Sequence, residues 1–355
     1  MSAAVDDRAV HFAFSGDFPF AGPSGDPFLA AAIVLAMQRG GSVSVSEELP
    51  VSERLIAGLQ TYQEIYSQWY RDLRHASVDA AARREPAAPT GAVGTFFSGG
   101  VDGHYTLLQN RARVTHLILC LGLDIPHTEQ GRWERTRDSV RRTASALGKR
   151  VCLVESNVKT ALQSARFDNH GAVLASTALG LSFDRLLIPA SHDYASEPSP
   201  WGSHHATDPT LSTGQTLVEY DGMVPRPTKV RRLVEAGVDL NDLRVCNHFT
   251  DFNCGYCEKC LRTIVALEVM DTSVASLPRV DDMSVIGRVV IPDEMYADFW
   301  DENLQFAQDF GRQDIGREIE RALGRFRRRD ALRQVDRAWF GGRISRLRSR
   351  FARGR

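Results

Sequence analysis

A short apolar run that ends in a glycine-rich turn constrains the fold of this chain more than any other segment. Residues 93–97 are mostly apolar, and apolar residues at helical spacing begin again at Tyr105. The turn between them consists of Ser98, Gly99, Gly100, Val101, Asp102 and Gly103. A strand, a glycine-rich turn and a helix in this order can bind phosphate, because the turn's N–H groups and the helix N-terminus carry partial positive charge. The segment therefore predicts an anion site, and an ordinary glycine turn is the alternative.

Further apolar runs alternate with longer polar-striped segments, which is typical of a parallel sheet built from βαβ units. We predict strands at residues 93–97, 115–121, 151–154 and 185–189, with helices at residues 102–111, 129–147 and 172–181. The predicted fold class is α/β with a doubly wound parallel sheet. Because ligands bind beyond the carboxyl ends of such strands, residues 98–103, 122–124 and 191–194 should surround one crevice.

Four cysteines are spaced as in zinc-binding segments. They are Cys246, Cys254, Cys257 and Cys260, in the pattern C-x7-C-x2-C-x2-C. Four thiolates suit tetrahedral Zn²⁺, and a site closed by four sulfurs has no open position for chemistry. A redox C-x2-C pair is the alternative, although it leaves the flanking cysteines unexplained. Cys120 and Cys152 lie in apolar runs and are interpreted as buried, inert thiols.

Together the two motifs resemble the PP-loop ATP pyrophosphatases, an adenine nucleotide alpha hydrolase-like superfamily. The closest resemblance is to the 7-cyano-7-deazaguanine synthase-like branch, whose late cysteine cluster is matched by residues 254–262. The resemblance covers residues 93–270 and implies a Rossmann-like sheet of the HUP type, with a small zinc-bound loop region. It also implies that residues 98–103 bind the pyrophosphate end of ATP, with Mg²⁺ bridging the phosphates. The chain departs from the family in Gly103, where a serine or threonine is usual.

Further nucleotide-binding residues are predicted around this loop. Lys229 resembles the family lysine that opens a late helix and contacts the phosphates, although Arg231 replaces the acidic residue that usually follows. Thr228 is the expected N-cap of that helix. Asp102 is expected to cap the first helix or its loop, and we count it with Lys229 as a candidate catalytic residue. The alternative for Lys229 is a surface lysine in the first turn.

Two other residues, and one polar segment, complete the predicted site. Asp124 could accept a hydrogen bond from the ribose or adenine, and Arg262 could face the nucleotide or substrate; solvated surface positions are the alternatives. Residues 191–212 form the expected substrate segment. Its candidate substrate-binding residues are Ser191, His192, Asp193, Tyr194 and Trp201, of which the two aromatics could stack on a planar, purine-like substrate. A long polar loop without a catalytic role is the alternative.

The sequence suggests three regions. Residues 1–90 form an expected N-terminal α+β module with helices at 28–37 and 52–73, a strand at 42–45 and a linker at 84–91. This module could cover the crevice or form a homodimer surface. Residues 91–275 form the expected ATP-binding domain with its zinc cluster at 246–260. Residues 276–355 form an expected helical extension.

The end of the chain is strongly basic. Residues 311–355 contain 15 Arg and 5 Asp or Glu, a local net charge of +10, whereas the whole chain has −1. Such a tail could bind nucleic acid, an anionic membrane surface or an acidic partner, or it could be a solvated helix. No apolar run is long enough to predict a membrane span. The start of the sequence lacks the pattern of a signal peptide, so we expect a cytoplasmic protein with reduced cysteines.

The combined motifs predict an ATP-dependent enzyme. It would adenylate a substrate oxygen, most simply that of a carboxylate, and release pyrophosphate. A nitrogen nucleophile would then attack the adenylate to form an amide or a nitrile. The alternatives are an enzyme of the same superfamily that modifies a tRNA or RNA base, and a non-catalytic, zinc-stabilised nucleotide-binding module.

Overall fold

A computed structural model describes residues 1–20, 22–83, 89–196, 200–246, 248, 252–280 and 282–340. Most of the predicted linker and the final stretch of the arginine-rich tail, 341–355, lie outside these residues. The described chain is a mixed α/β protein with a seven-stranded, mainly parallel sheet. The predicted α/β class is therefore confirmed. The described helices include none that is both long and apolar enough to span a membrane.

Eleven strands are described, and seven of them form the main sheet. The strands are β1 (Ser2–Val5), β2 (Arg8–Gly16), β3 (Ser42–Ser44), β4 (Val51–Ser52), β5 (Ser77–Asp79), β6 (Ala82–Arg83), β7 (Val93–Phe96), β8 (His116–Leu121), β9 (Arg150–Ser156), β10 (Arg185–Pro189) and β11 (Leu217–Asp221). The main sheet has the order β1-β2-β9-β8-β7-β10-β11. Strands β9, β8, β7, β10 and β11 are parallel, whereas β1 and β2 are antiparallel. Two small pairs, β3–β5 and β4–β6, lie apart from it.

The helices follow in the same order along the chain. They are α1 (Asp26–Arg39), α2 (Glu53–Trp69), α3 (Val101–Gln109), α4 (Gln130–Ala146), α5 (Val158–Leu162), α6 (His170–Leu179), α7 (Arg226–Glu235), α8 (Glu258–Val269), α9 (Ser284–Gly287), α10 (Glu294–Asp309) and α11 (Gln313–Phe340). A short 3₁₀ helix covers Asp208–Leu211.

Helices cover both faces of the sheet. Successive residues of a strand point to opposite faces, so a buried strand contributes side chains to two cores. Ile118 packs in one core with α1, α2 and α6, whereas its neighbours Leu117 and Leu119 pack in another with α3 and α4. The same alternation separates Leu186 and Leu187 in β10. After β9 the chain crosses β7 to form β10 on its other side. The carboxyl ends of β7 and β10 therefore lie side by side at the point where the strand order reverses. Open α/β sheets bind ligands at such a point.

Packing crosses both predicted domain boundaries. Strand β2 pairs with β9, with Phe12 opposite Ser156, so the first residues extend the main sheet rather than forming a separate module. Helices α7, α8, α10 and α11 share one core, in which Leu267 and Trp300 both lie. That core spans residue 275. The two boundaries are crossed for separate reasons. The β1–β2 hairpin covers the edge of β9, and α10 and α11 cover the apolar face of α8.

Candidate functional site

A cavity of about 560 Å³ opens beyond the carboxyl ends of β7, β8 and β10. Ser98, Gly100, Asp102 and Gly103 line it from the glycine-rich loop, and α3 begins within that loop at Val101. The loops after the other two strands add side chains, among them Asp124 and Ser191. The structure thus brings these six predicted residues to one cavity.

The glycine-rich loop turns its N–H groups away from a buried arginine. Gly99 has φ of +78°, a left-handed conformation that glycine adopts readily. The backbone N–H of Arg244 donates to the carbonyl oxygen of Gly99 (2.8 Å), and Arg244 Nε donates to that of Ser98 (2.9 Å). Because the C=O and N–H of a trans peptide point in opposite directions, the N–H groups of Gly99 and Gly100 point away from Arg244. Of the two glycines, Gly100 lines the cavity, and its N–H group suits an anion there.

Asp102 binds two cationic side chains from the start of α7. Lys229 Nζ donates to Asp102 Oδ1 (2.8 Å) and to the carbonyl oxygen of Ala190 (2.6 Å), and Arg226 Nη2 donates to Asp102 Oδ2 (2.6 Å). Lys229 is fully buried. Helix α3 has no side-chain cap, so the expectation that Asp102 caps the helix was wrong. Its carboxylate is instead committed to this ion-pair cluster.

The electrostatics of the cluster keep Asp102 ionised. Burial alone would raise the pKa of Asp102, but the charges of Arg226 and Lys229 outweigh it and lower that pKa to about 2. Burial also lowers the pKa of Lys229, and the nearby Asp102 carboxylate opposes that shift. Each charge therefore needs the other, since a buried ion without its partner is costly.

Helix α7 begins earlier than the sequence suggested. Its first residue is Arg226 and its N-cap is Pro225, with Pro227 in the first turn, so Thr228 is not the N-cap. A proline in the first turn removes only an N–H that has no helical partner. The earlier start allows Arg226 and Lys229, which are three residues apart, to reach the same carboxylate.

Cationic side chains that the sequence did not single out also line the cavity. They are Arg132, Lys159, Arg226, Arg244 and Lys259, and the carboxylates in the lining are Asp102 and Asp124. Burial and the neighbouring Arg226 lower the pKa of Lys259 to about 8. The excess of positive charge would concentrate anionic ligands in the cavity. Nothing in the sequence distinguishes these residues from other surface cations, since only the tertiary fold aims them at one space.

Arg132 connects the cavity to the cysteine segment. Its Nη2 donates to the carbonyl oxygen of Cys246 (2.6 Å), and its Nη1 donates to that of His248 (3.1 Å). Arg132 is buried, and its Nε has no hydrogen-bond partner within the described chain. A buried guanidinium with a free donor at a cavity wall is suited to bind an anionic ligand.

Helix α10 contributes residues that the sequence reasoning also missed. The Arg262 guanidinium lies 4.0 Å from the centre of the Phe299 ring, and His192 stacks on that ring at 5.0 Å. The backbone N–H of Arg226 donates to Glu302 Oε2 (3.3 Å). Burial, followed by the charge of Asp193, raises the pKa of Glu302 to about 7. Arg262 is not among the residues that line the cavity, and its ion-pair partner is Glu258 at 3.2 Å.

The predicted substrate residues divide into different environments. His192 is buried, and burial lowers its pKa to about 4, so the ring is neutral at pH 7. Trp201 contacts the edges of His170 and His192. Tyr194 is 76% exposed and lies against His205, and Asp193 accepts hydrogen bonds from the Ala195 and Ser196 backbone. Of these residues Trp201 is the one whose ring packs beside a cavity-lining side chain, His170.

The four predicted metal-binding cysteines lie together. All four sulfur atoms are within 4.8 Å of one another, and the pairs Cys246–Cys257 and Cys254–Cys260 are each 3.9 Å apart. Four sulfurs arranged tetrahedrally about Zn²⁺ lie about 3.8 Å from one another, given Zn–S bonds of about 2.3 Å. Backbone N–H groups of Cys257 and Cys260 donate to the sulfurs of Cys254 and Cys257. The cluster is compatible with a zinc site.

Comparison with known proteins gives no relative from which to transfer a function. The chain matches no family model, no curated protein and no solved structure.

Proposed function

We propose that this protein is an ATP-dependent enzyme that adenylates a substrate oxygen, most simply that of a carboxylate, and releases pyrophosphate. The observation that carries the proposal is the glycine-rich loop, which lines a cavity rich in cationic side chains. The N–H group of the cavity-lining Gly100 and the N-terminus of α3 suit the pyrophosphate portion of ATP. The resemblance to the 7-cyano-7-deazaguanine synthase-like branch supports the reaction type, and the strand order supports a Rossmann-like sheet of the HUP type.

The proposed chemistry depends on charge stabilisation. As the bond to the α-phosphorus breaks, negative charge grows on the leaving pyrophosphate, and preorganised donors lower the energy of that state. The N–H group of Gly100 would supply such a donor, and Arg226 and Arg244 would add cationic charge. Asp102 would hold Lys229 and Arg226 in position. The adenylate would then react with a nitrogen nucleophile to give an amide or a nitrile.

The metal ions have separate proposed roles. Mg²⁺ prefers oxygen ligands and would neutralise charge on the phosphates. Asp124 lines the cavity and is not part of the Asp102 ion-pair cluster, so it is the carboxylate that fits this ion or the ribose. Zinc would be held by the four cysteines and would stabilise the loop that positions Arg132.

The proposal is tested with pure protein, radiolabelled ATP, Mg²⁺, ammonium and a mixture of small carboxylic acids and purine-like acids. We expect AMP and pyrophosphate in equal amounts, and a rate lower by roughly 100-fold in Lys229→Met, because Asp102 loses one of the two cations that hold it in position at the cavity. Lys149→Met is the matched control, because Lys149 directly precedes β9, at the amino end of the sheet. Formation of ADP and phosphate alone would contradict adenylation.

Gly103 allows a second test of the loop. A Cβ there would lie 3.2 Å from Phe97 Cδ2 and 3.6 Å from the Phe96 carbonyl oxygen, so Gly103→Ser requires only a small shift of a ring edge. We expect ATP to bind about 5-fold more tightly, because one added hydrogen bond contributes roughly 1 kcal/mol. Gly99→Ser is the contrasting variant, since its φ of +78° strains any side chain. Isothermal titration of both variants with ATP measures the difference; equal or weaker binding by Gly103→Ser would show that no phosphate lies there.

A further inference from the structure

A second group of side chains with metal-ligating atoms lies beside the loop between β8 and α4. His11 belongs to β2, His127 lies between β8 and α4, and Glu155 belongs to β9. One ligand atom from each lies within 4.8 Å of the others, and His127 Nε2 is 3.6 Å from Glu155 Oε1. Three segments distant in sequence therefore place two imidazoles and a carboxylate around one point.

The backbone beneath this group is fixed. Ser156 Oγ donates to the carbonyl oxygen of His11 (2.6 Å), and the His11 backbone N–H donates to Asn157 Oδ1 (3.0 Å). These bonds add to the β2–β9 ladder and set the position of His11 beside Glu155. The side chains themselves are accessible, with His127 37% and Glu155 53% exposed.

Gly122 provides the space for the side chain of His127. A Cβ at this position would lie 2.5 Å from His127 Cε1 and 1.9 Å from the carbonyl oxygen of Ser156, so no larger residue fits. The loop is also closed by a hydrogen bond from the Gly122 N–H to the Ile125 carbonyl oxygen (2.8 Å). The tight turn thus brings the His127 ring against the end of β9.

We propose that His11, His127 and Glu155 bind one divalent first-row transition-metal ion. Two imidazole nitrogens and one carboxylate oxygen suit ions such as Zn²⁺, Co²⁺ or Fe²⁺ rather than Mg²⁺ or Ca²⁺, which prefer oxygen ligands alone. Ligand atoms bound to one such ion at about 2.1 Å lie about 3.0–3.4 Å from each other. Small side-chain rotations close the observed group to that size, and the remaining coordination positions are open to water.

The ion would add a direct link between two parts of the structure that already share a core, in which Leu123 packs with Val10 and Phe12. His127 follows the cavity-lining residues Leu123, Asp124 and Ile125, whereas His11 and Glu155 belong to the antiparallel edge. Binding would tie the loop that carries Asp124 to that edge. The site shares no residue with the cysteine cluster and has a different ligand chemistry. Metal binding by this site can be measured without an assay of the proposed enzymatic activity.

The test is a titration of the full-length, zinc-loaded protein with Co²⁺. We expect one further equivalent to bind with the visible d–d bands of nitrogen and oxygen ligands, and without the near-ultraviolet sulfur-to-cobalt bands of a cysteine site. His127→Ala should weaken this binding by about 10-fold or more, since removal of even outer-shell partners costs 10–100-fold. Glu155→Gln keeps the shape of the side chain and should also weaken it.

His75→Ala is the matched control, because His75 is an exposed histidine that follows α2. It should bind Co²⁺ as the native chain does. The proposal is overturned if no saturable binding occurs beyond the cysteine site, or if the His127→Ala and Glu155→Gln variants, shown to be folded by circular dichroism, bind Co²⁺ with unchanged affinity.

Discussion

Asp102→Ala should lower the free energy of unfolding by about 3–5 kcal/mol and abolish pyrophosphate release. The substitution removes the shared anion of Lys229 and Arg226 and leaves two buried cations without their carboxylate. Breaking a buried pair from one side has this cost because the remaining charge is uncompensated. The loss of activity follows because Arg226, which lines the cavity, would no longer be held there by its carboxylate partner. Urea denaturation and pyrophosphate release measure the two effects.

The same carboxylate predicts a specific pH dependence. The pKa of Asp102 is lowered to about 2 in the folded chain, from an ordinary value of 3.8. A depressed carboxyl pKa stabilises the fold above the unfolded value and loses that contribution as the pH falls through the folded value. Asp102 should therefore contribute about 2 kcal/mol above pH 4. The difference in urea midpoint between the native chain and Asp102→Ala should narrow as the pH falls from about 4 to 2.

Two further variants test whether the loss of stability comes from the buried ion pair. Asp282→Ala removes an exposed aspartate whose hydrogen bonds are local, and should leave the free energy of unfolding almost unchanged. The double variant Asp102→Ala/Lys229→Met should be more stable than the sum of its single variants predicts, by about 0.5–3 kcal/mol. Strict additivity would mean that Asp102 and Lys229 do not stabilise each other.

Removal of the proposed zinc ion from the cysteine cluster should unfold the core built on α8. Cys246 and Cys260 are buried in that core together with Trp300 of α10, and Cys257 is the N-cap of α8. Structural zinc contributes about 10–16 kcal/mol of apparent binding energy in small zinc-finger peptides, so its removal withdraws a large stabilising term. A strong chelator should abolish the cooperative thermal transition of this part of the chain, measured by calorimetry.

Cys257→Ser tests the same site without a chelator. The variant should lose the near-ultraviolet sulfur-to-cobalt bands of a four-thiolate site when it is prepared with Co²⁺. Cys152→Ala is the matched control, because Cys152 is a buried thiol of β9 in a different core and should leave those bands unchanged. Zinc removal should also weaken ligand binding in the cavity, since Arg132 is held by the carbonyl oxygens of Cys246 and His248. Chelation that changes neither stability nor ligand binding would rule out a structural metal.

The sequence predicted the interior of the sheet better than its edges. Strands β7, β8, β9 and β10 are short and mostly buried, so their apolar runs are visible in the sequence, and the predicted bounds of β10 agree with the structure. Strand β11 is mostly half-buried and carries Glu219 and Asp221, and no strand was predicted there. Strand β2 was missed for a similar reason, since its exposed positions interrupt the apolar pattern.

The candidate site was only half visible in the sequence. The glycine-rich loop and the cysteine cluster are local patterns, and both lie where their spacing suggested. The cationic side chains that line the cavity come from distant parts of the sequence, so no local pattern marks them. Arg132 is one of many charged residues in α4, and only the fold places it beside Cys246. The sequence did not predict the roles of Phe299 and Glu302, because nothing in the sequence of α10 indicates that this helix packs near residues 98–103. Pro227 was a usable signal for the start of α7, which would have placed Arg226 in the helix.

The contact of α10 with this region has a consequence for biosynthesis. The glycine-rich loop leaves the ribosome some two hundred residues before Glu302, the acceptor for the Arg226 N–H, and Phe299, on which His192 stacks. A nascent chain therefore carries the glycine-rich turn long before α10 can dock. The packed surroundings of Arg226 and His192 are completed only near the end of translation.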